Sequence, residues 1–272
     1  MADSDWHKYR QLRGKELPSE FPFQDVVYQQ RKLLKRDFYA AVGIYEHGNQ
    51  LSVLPRQVLL KIYHTDALWG LPLGWLGRWL ARREIDAYRA LADVPGIPRM
   101  LATHGEAGMV REFVPGCNLK EYRAQALPDR RFHPELARIL EDVHARGMSH
   151  NDLAKPENVL VDEAGRPVLI DFQIALGPRL IRVPGLAWMA RRFLSYMQGV
   201  DRYHLRKHHT HDHPDDFSPE ELRRARQKGT LLWLHGIVLR RPYRAVRHFV
   251  LQRWLLEPKS KPTMQEAPRR AA

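Results

Sequence analysis

Apolar and polar positions alternate through the first part of the chain. VVYQQRKLLKRDF (26–38), YAAVGIYEH (39–47) and QVLLKIY (57–63) read as strands, the last following the polar turn HGNQ. The Trp-rich run ALWGLPLGWLGRWLARR (67–83) reads as an insert leading into a helix from Glu84 to Leu91, which Pro95-Gly96 and Pro98 stop. Two more strands are expected around 99–103 and 109–113, closed by Pro115-Gly116. The period then changes. Leu136, Ile139, Leu140 and Val143 recur at i, i+3, i+4 and i+7, with Pro134 in the first turn and Gly147 past the end. VLVD and RPVLIDF flank Glu163-Ala164-Gly165 as a hairpin, and residues 180–256 read as mostly basic helix. Within them Ser218-Pro219-Glu220-Glu221 has the form of a capping box. A strand-rich half followed by a helix-rich half predicts an α+β protein with its chemistry near the junction.

Composition narrows this moderately. The 272 residues suit one large domain or two lobes around a cleft, and 44% hydrophobic residues can supply a core. A formal charge of +13 favours polyanions: nucleotide phosphates, nucleic acid or acidic membrane surfaces. With one cysteine, Cys117, no internal disulfide forms, which fits a reducing compartment. The first residues lack the apolar core of a signal peptide and no apolar run spans a bilayer, so cytoplasmic residence is expected. The end from Glu257, rich in Pro, Lys and small residues, is expected to be disordered.

The chemistry concentrates in Ser149-His150-Asn151-Asp152-Leu153-Ala154-Lys155-Pro156-Glu157-Asn158, with Asp171-Phe172-Gln173 beyond. Phosphoryl transfer needs a carboxylate facing the accepting hydroxyl, an amide oxygen and a second carboxylate for magnesium, and a lysine against phosphate charge. Asp152, Asn158, Asp171 and Lys155 offer these in order. For Asp152 the alternative is a loop aspartate capping a turn; Asp171, ending the apolar strand VLI, is costly to bury unless a cation pairs with it, which favours a metal role. Lys61, on an apolar strand, needs an anion or a route to solvent. Glu84 supplies a candidate, because Glu84, Ala87, Tyr88 and Leu91 form one helical stripe that should turn inward.

These motifs resemble the protein-kinase-like superfamily, and more narrowly the bacterial RIO-like and lipopolysaccharide-core (Kdo or heptose) kinases, over roughly residues 30–175. The resemblance implies a two-lobed fold: an N-lobe (26–115) with a small antiparallel sheet and one main helix, and a helical C-lobe (116–256). An extension (1–25) and a tail (257–272) would flank them. It implies ATP and Mg2+ as cofactors. Asp152 would match the catalytic aspartate, Asn158 and Asp171 the metal ligands, and Lys61 paired with Glu84 the phosphate lysine. His150 would brace the loop against Asp171 or Phe172. The segment Val110–Gly116 looks like the hinge between lobes, where backbone groups of Glu112 and Val114 would bond adenine.

The chain departs from the family pattern in several places. Asp152 and Asn158 stand six apart, so Ala154 reads as inserted. Asn151 replaces an arginine that meets activation-loop phosphate, so such control is not expected. Gln173 replaces glycine, which predicts a site fixed in one state. No glycine-rich loop stands between the first strands, and Lys35 and Arg36 are candidates for contacting phosphates by charge instead. Arg111 beside the hinge is unusual, and no Ala-Pro-Glu follows Asp171. The expected acceptor is a lipopolysaccharide-core sugar or a protein serine, and the rival is a nucleotide-binding pseudokinase adaptor. Trp69, Trp75 and Trp79 beside Arg78, Arg82 and Arg83 suit peripheral contact with an anionic membrane, against a bland packing role. His208-His209-Thr210-His211-Asp212-His213 reads as a solvated loop rather than a zinc site. The basic stretches LRRARQK and YRAVRHF lack a nucleic-acid module, so nucleic acid is not expected as a partner.

Overall fold

The computed structural model describes residues 17–36, 39–65, 74–177 and 187–226. Among the described residues, nine strands run as β1 Glu20–Phe23, β2 Val26–Arg36, β3 Ala40–Glu46, β4 Gln57–Tyr63, β5 Met100–His104, β6 Gly108–Glu112, β7 Gly116–Asn118, β8 Val159–Asp162 and β9 Pro167–Leu169. The helices are α1 Gly74–Ala90, α2 Leu119–Arg123, α3 Phe132–Ala145, α4 Ala187–Asp212 and α5 Pro219–Arg226. The fold is α+β with a kinase-like sheet lobe. Six antiparallel strands are ordered β1-β2-β3-β4-β6-β5, and β7-β8-β9 form a second small sheet. β1 precedes the strands legible in the sequence and pairs along β2, placing Phe21 against Tyr28 and Tyr45. These rings, with Val58, Leu60 and Val110, form an apolar cluster on one face of the sheet.

The other face meets α1. Alternation along β4 turns Leu60 into that first cluster and leaves Lys61 on the α1 side. Tyr63, Leu80, Tyr88 and Leu91 there join a core that continues through Leu136, Leu140, Leu153, Leu169 and Phe172 of the helical lobe. One apolar cluster therefore runs from the sheet and α1 into α3 and the strands β8 and β9.

Two sequence expectations are corrected. The second half of the Trp-rich insert is helix: α1 starts at Gly74, ten positions before Glu84. Its buried stripe is Gly77, Leu80, Ala81, Glu84, Ile85 and Tyr88, while Trp75 and Trp79 face outward, so the tryptophans masked the period. Gly77 is needed for close approach, since a Cβ there would lie 2.0 Å from the His64 carbonyl oxygen. The histidine-rich run is likewise not a solvated loop. It closes α4, on which Asp201, Leu205, His208 and Asp212 share one inward face. Three of those four are polar and held by buried partners, so apolar periodicity could not reveal the helix. The capping box of α5 forms, with Ser218 N donating to Glu221 Oε2 (2.9 Å) and Glu221 N to Ser218 Oγ (3.3 Å). Trp69, Asp37, Phe38, YRAVRHF and the tail from Glu257 lie outside the described residues.

Candidate active site

Lys61 projects from β4 into a carboxylate pair. Its Nζ lies 3.0 and 2.8 Å from the two Glu84 oxygens and 3.0 Å from Asp171 Oδ1. Glu84, from the inward stripe of α1, is 1% exposed and also accepts the Tyr63 hydroxyl. Burial works against charge on Lys61, but the Asp171 and Glu84 carboxylates outweigh it and hold the ammonium well above its usual range. Burial likewise favours a neutral Asp171, yet Lys61 overrides it and keeps that carboxyl far below the usual carboxylate range. Asp171 sits in the left-handed region (φ 68°), with its amide donating to the Tyr88 hydroxyl at 3.3 Å. An aspartate held there stores strain, which the Lys61 pair and Tyr88 maintain.

The loop after α3 supplies the second half. His150 Nε2 faces the Ile170 carbonyl at 2.9 Å, and the Asp152 amide donates to His150 Nδ1 at 3.2 Å. A carbonyl at one nitrogen and an N–H at the other require the Nε2–H tautomer, so the ring braces the loop as a neutral clamp. It also packs edge-on to Phe172, with centroids 4.9 Å apart. Asn158 Nδ2 donates to the Asp152 carbonyl and to Asp152 Oδ2, both at 3.0 Å. The turn through Ala154 thus closes despite the six-residue spacing. Lys155 Nζ lies 2.5 Å from Asp152 Oδ2 and remains exposed. Ile170 N donates to the Asn158 carbonyl at 3.0 Å, so the two halves are stitched into one cluster.

Sequence reasoning missed the groups beneath this loop. Asp201, fully buried on α4, accepts the amides of His150 (2.7 Å) and Asn151 (2.8 Å) and faces His144 Nε2 (3.2 Å). His208 Nε2 bonds the Leu153 carbonyl at 2.7 Å. Their shared helical face with Leu205 and Asp212 was the available sequence sign. Arg83, grouped by sequence with the membrane-facing arginines, instead turns inward: its Nη2 donates to the Ala175 carbonyl at 2.7 Å, and its guanidinium stacks on Trp79.

In the segment expected to be the hinge, Glu112 N donates to the Arg99 carbonyl (2.9 Å), while the Glu112 carboxylate bonds Arg99 Nε (2.7 Å) and N (3.1 Å). The Glu112 carbonyl accepts Arg111 Nη1 at 3.0 Å. Val114 is half-buried just beyond. Lys35, near the end of β2, is close enough to lower the Asp171 carboxyl by its charge, and Arg36 ends the strand.

The donor set fits magnesium. Asn158 spends its amide nitrogen on Asp152 and Asp171 spends Oδ1 on Lys61, leaving one hard oxygen on each. Two oxygen ligands supplemented by water and phosphate oxygens are what Mg2+ takes. No group of three or more His, Cys, Asp or Glu among the described residues could hold a metal alone.

No protein-family model matches the chain. It is 37% identical over 111 residues to CBL-interacting protein kinase 16 of Oryza sativa subsp. japonica, covering 39% of this chain and 24% of that one. Similarity to CBL-interacting serine/threonine-protein kinase 5 of Arabidopsis thaliana is 28% over 165 residues, or 58% and 35% of the two chains. With maternal embryonic leucine zipper kinase of Danio rerio it is 34% over 103 residues, 35% of this chain and 15% of the relative. Fold and sequence together support the protein-kinase-like superfamily. The chain spans about a third or less of the length of these relatives. All three are plant or animal proteins, so the narrower likeness to bacterial RIO-like and lipopolysaccharide-core kinases gains nothing from them.

Proposed function

We propose that the protein is a phosphotransferase moving the terminal phosphoryl group of a nucleoside triphosphate, ATP by the family resemblance, onto a hydroxyl. The observation that carries this reading is Lys61 held between Glu84 and Asp171, with Asp152 and Asn158 joined to the same cluster. Lys61 would neutralise phosphate oxygens, and a bound Mg2+ at Asn158 and Asp171 would offset charge on the phosphates. The acceptor oxygen attacks the terminal phosphorus as the bond to the bridging oxygen breaks, and its proton passes to Asp152. That carboxylate uses Oδ2 for Lys155 and Asn158, leaving Oδ1 without a partner among the described residues. Lys155, exposed at the rim, would offset charge on the phosphoryl in transit.

The relatives' names favour a protein serine or threonine as acceptor. A lipopolysaccharide-core sugar is the second reading, because no Ala-Pro-Glu platform follows Asp171 and α4 already begins at Ala187. The test is nucleoside diphosphate release with magnesium and either ATP or GTP, offering a protein substrate or a glycolipid fraction in turn. Asp152→Ala should lower the rate about 10²–10⁴-fold. Equal rates for wild type and variant would leave a nucleotide-binding adaptor.

A further inference from the structure

The base end of the cleft carries a cation that the phosphotransfer reading does not use. Across the β4–β6 ladder, Leu59 is opposite Arg111 and Lys61 opposite Met109. Residues two apart in a strand share a face, so Arg111 lies on the Lys61 side of the sheet. It is 6% exposed. Of its five donors, the one engaged among the described residues is Nη1, on the Glu112 carbonyl. The neighbouring Glu112 carboxylate does not pair with it, being turned to Arg99. The Arg111 charge also reaches the Tyr88 phenol, the group that bonds the Asp171 amide. None of the other guanidinium nitrogens is among the buried, unpaired side-chain atoms of the described residues, so they keep solvent contact and can meet an incoming acceptor.

We infer that Arg111 makes the base subsite a reader of 6-oxopurines, so that GTP and ITP bind in preference to ATP; this rests on the cleft being a nucleoside triphosphate site. The Glu112 carbonyl, one of the backbone groups expected from the sequence to bond adenine, already holds Arg111. An adenine entering there brings its amino donor against a guanidinium that is all donor. A 6-oxopurine brings O6 and N7, two acceptors side by side, which match the guanidinium fork. Selectivity then comes from attraction to the oxo edge and from donor–donor repulsion against the amino edge.

The experiment is displacement of trinitrophenyl-ATP from the magnesium-loaded full chain by ATP, GTP and ITP. GTP and ITP should each displace the probe at roughly tenfold lower concentration than ATP. Arg111→Met should erase or reverse that order, and Arg111→Lys, which keeps charge without the fork, should weaken it. A purely structural role for Arg111 would shift all three nucleotides together. The wild-type order alone decides the case if a variant folds poorly. ATP binding as well as or better than GTP overturns the inference while leaving the cleft reading intact. GTP preferred but ITP treated like ATP would mean the 2-amino group is read, which also overturns the role of Arg111. Displacement by none of the three removes the nucleotide-site reading and the inference with it.

Discussion

Asp201 is one carboxylate that fixes a whole loop. Asn151 sits in the left-handed region (φ 69°), a costly place for a residue that is not glycine. The Asp201 oxygens accept the amides on both sides of the His150 peptide and hold that conformation from beneath. Replacing Asp201 by Asn turns one acceptor into a donor facing an amide. Asp201→Asn should lower unfolding free energy by about 1.5–3 kcal/mol, the range for bonds to a charged group. Turnover should fall more than nucleotide affinity. Urea unfolding and steady-state kinetics check both, and an unchanged midpoint with normal turnover would reject this role. At this scale the sequence was generous for Lys61, Glu84, Asp152, Asn158 and Asp171, whose residue types and spacing are dictated by chemistry. For Asp201 it offered only the helical spacing with Leu205, His208 and Asp212, because a carboxylate on a basic helix otherwise looks like any solvated charge until its partners are known.

Among the elements, the strand after the hinge depends on contact too close for a side chain. Gly116 has φ 135°, and a Cβ there would lie 2.1 Å from the Val161 carbonyl oxygen. β7 pairs with β8 through Gly116↔Asp162 and Cys117↔Val161, so this contact seats the proposed hinge on the small sheet that follows the Asp152 loop. Gly116→Ala should therefore cost about 1–3 kcal/mol and weaken nucleotide binding together. Thermal melting and nucleotide titration read the two effects, and loss of one without the other would uncouple hinge from site. The β8–β9 hairpin was legible from its turn residues. β7 was not, since three residues without alternation carry no strand pattern.

Over the described residues, a polar core joins α2, α3 and α4 to the loop that carries Asp152. His208 bonds the Leu153 carbonyl through Nε2 and meets Arg123 through Nδ1 (3.3 Å), while Asp212 pairs with Arg123 and His133. Burial lowers His208 from 6.5 to about 4, and His209 likewise to about 4. Below pH 6.5 the unfolded chain takes up protons that these folded imidazoles refuse, so stability falls between pH 6.5 and about 4. His208 alone accounts for on the order of 3 kcal/mol over that window. Asp171 and Asp212, held low by their cations, add acid sensitivity below the usual carboxylate range. Melting curves from pH 7.5 down to 4.5 should show this loss, and His208→Gln should flatten part of the slope. A wild-type melting temperature flat across that range would contradict it.

By itself the sequence determined the order of the strands β2 to β6 with the helix between them, the helix α3 and the residue types that cluster around Lys61 and Asp152. Local periodicity and the spacing of chemically obligatory groups are written in neighbouring positions. Tertiary structure alone decided that β1 extends the sheet, that α4 runs through the histidine-rich segment, that Arg83 turns inward and that Arg111 is buried beside the hinge. The histidine-rich end of α4 and the turn of Arg83 depend on which distant group satisfies a buried donor or acceptor, and a hydrogen-bond partner far along the chain leaves no periodic trace.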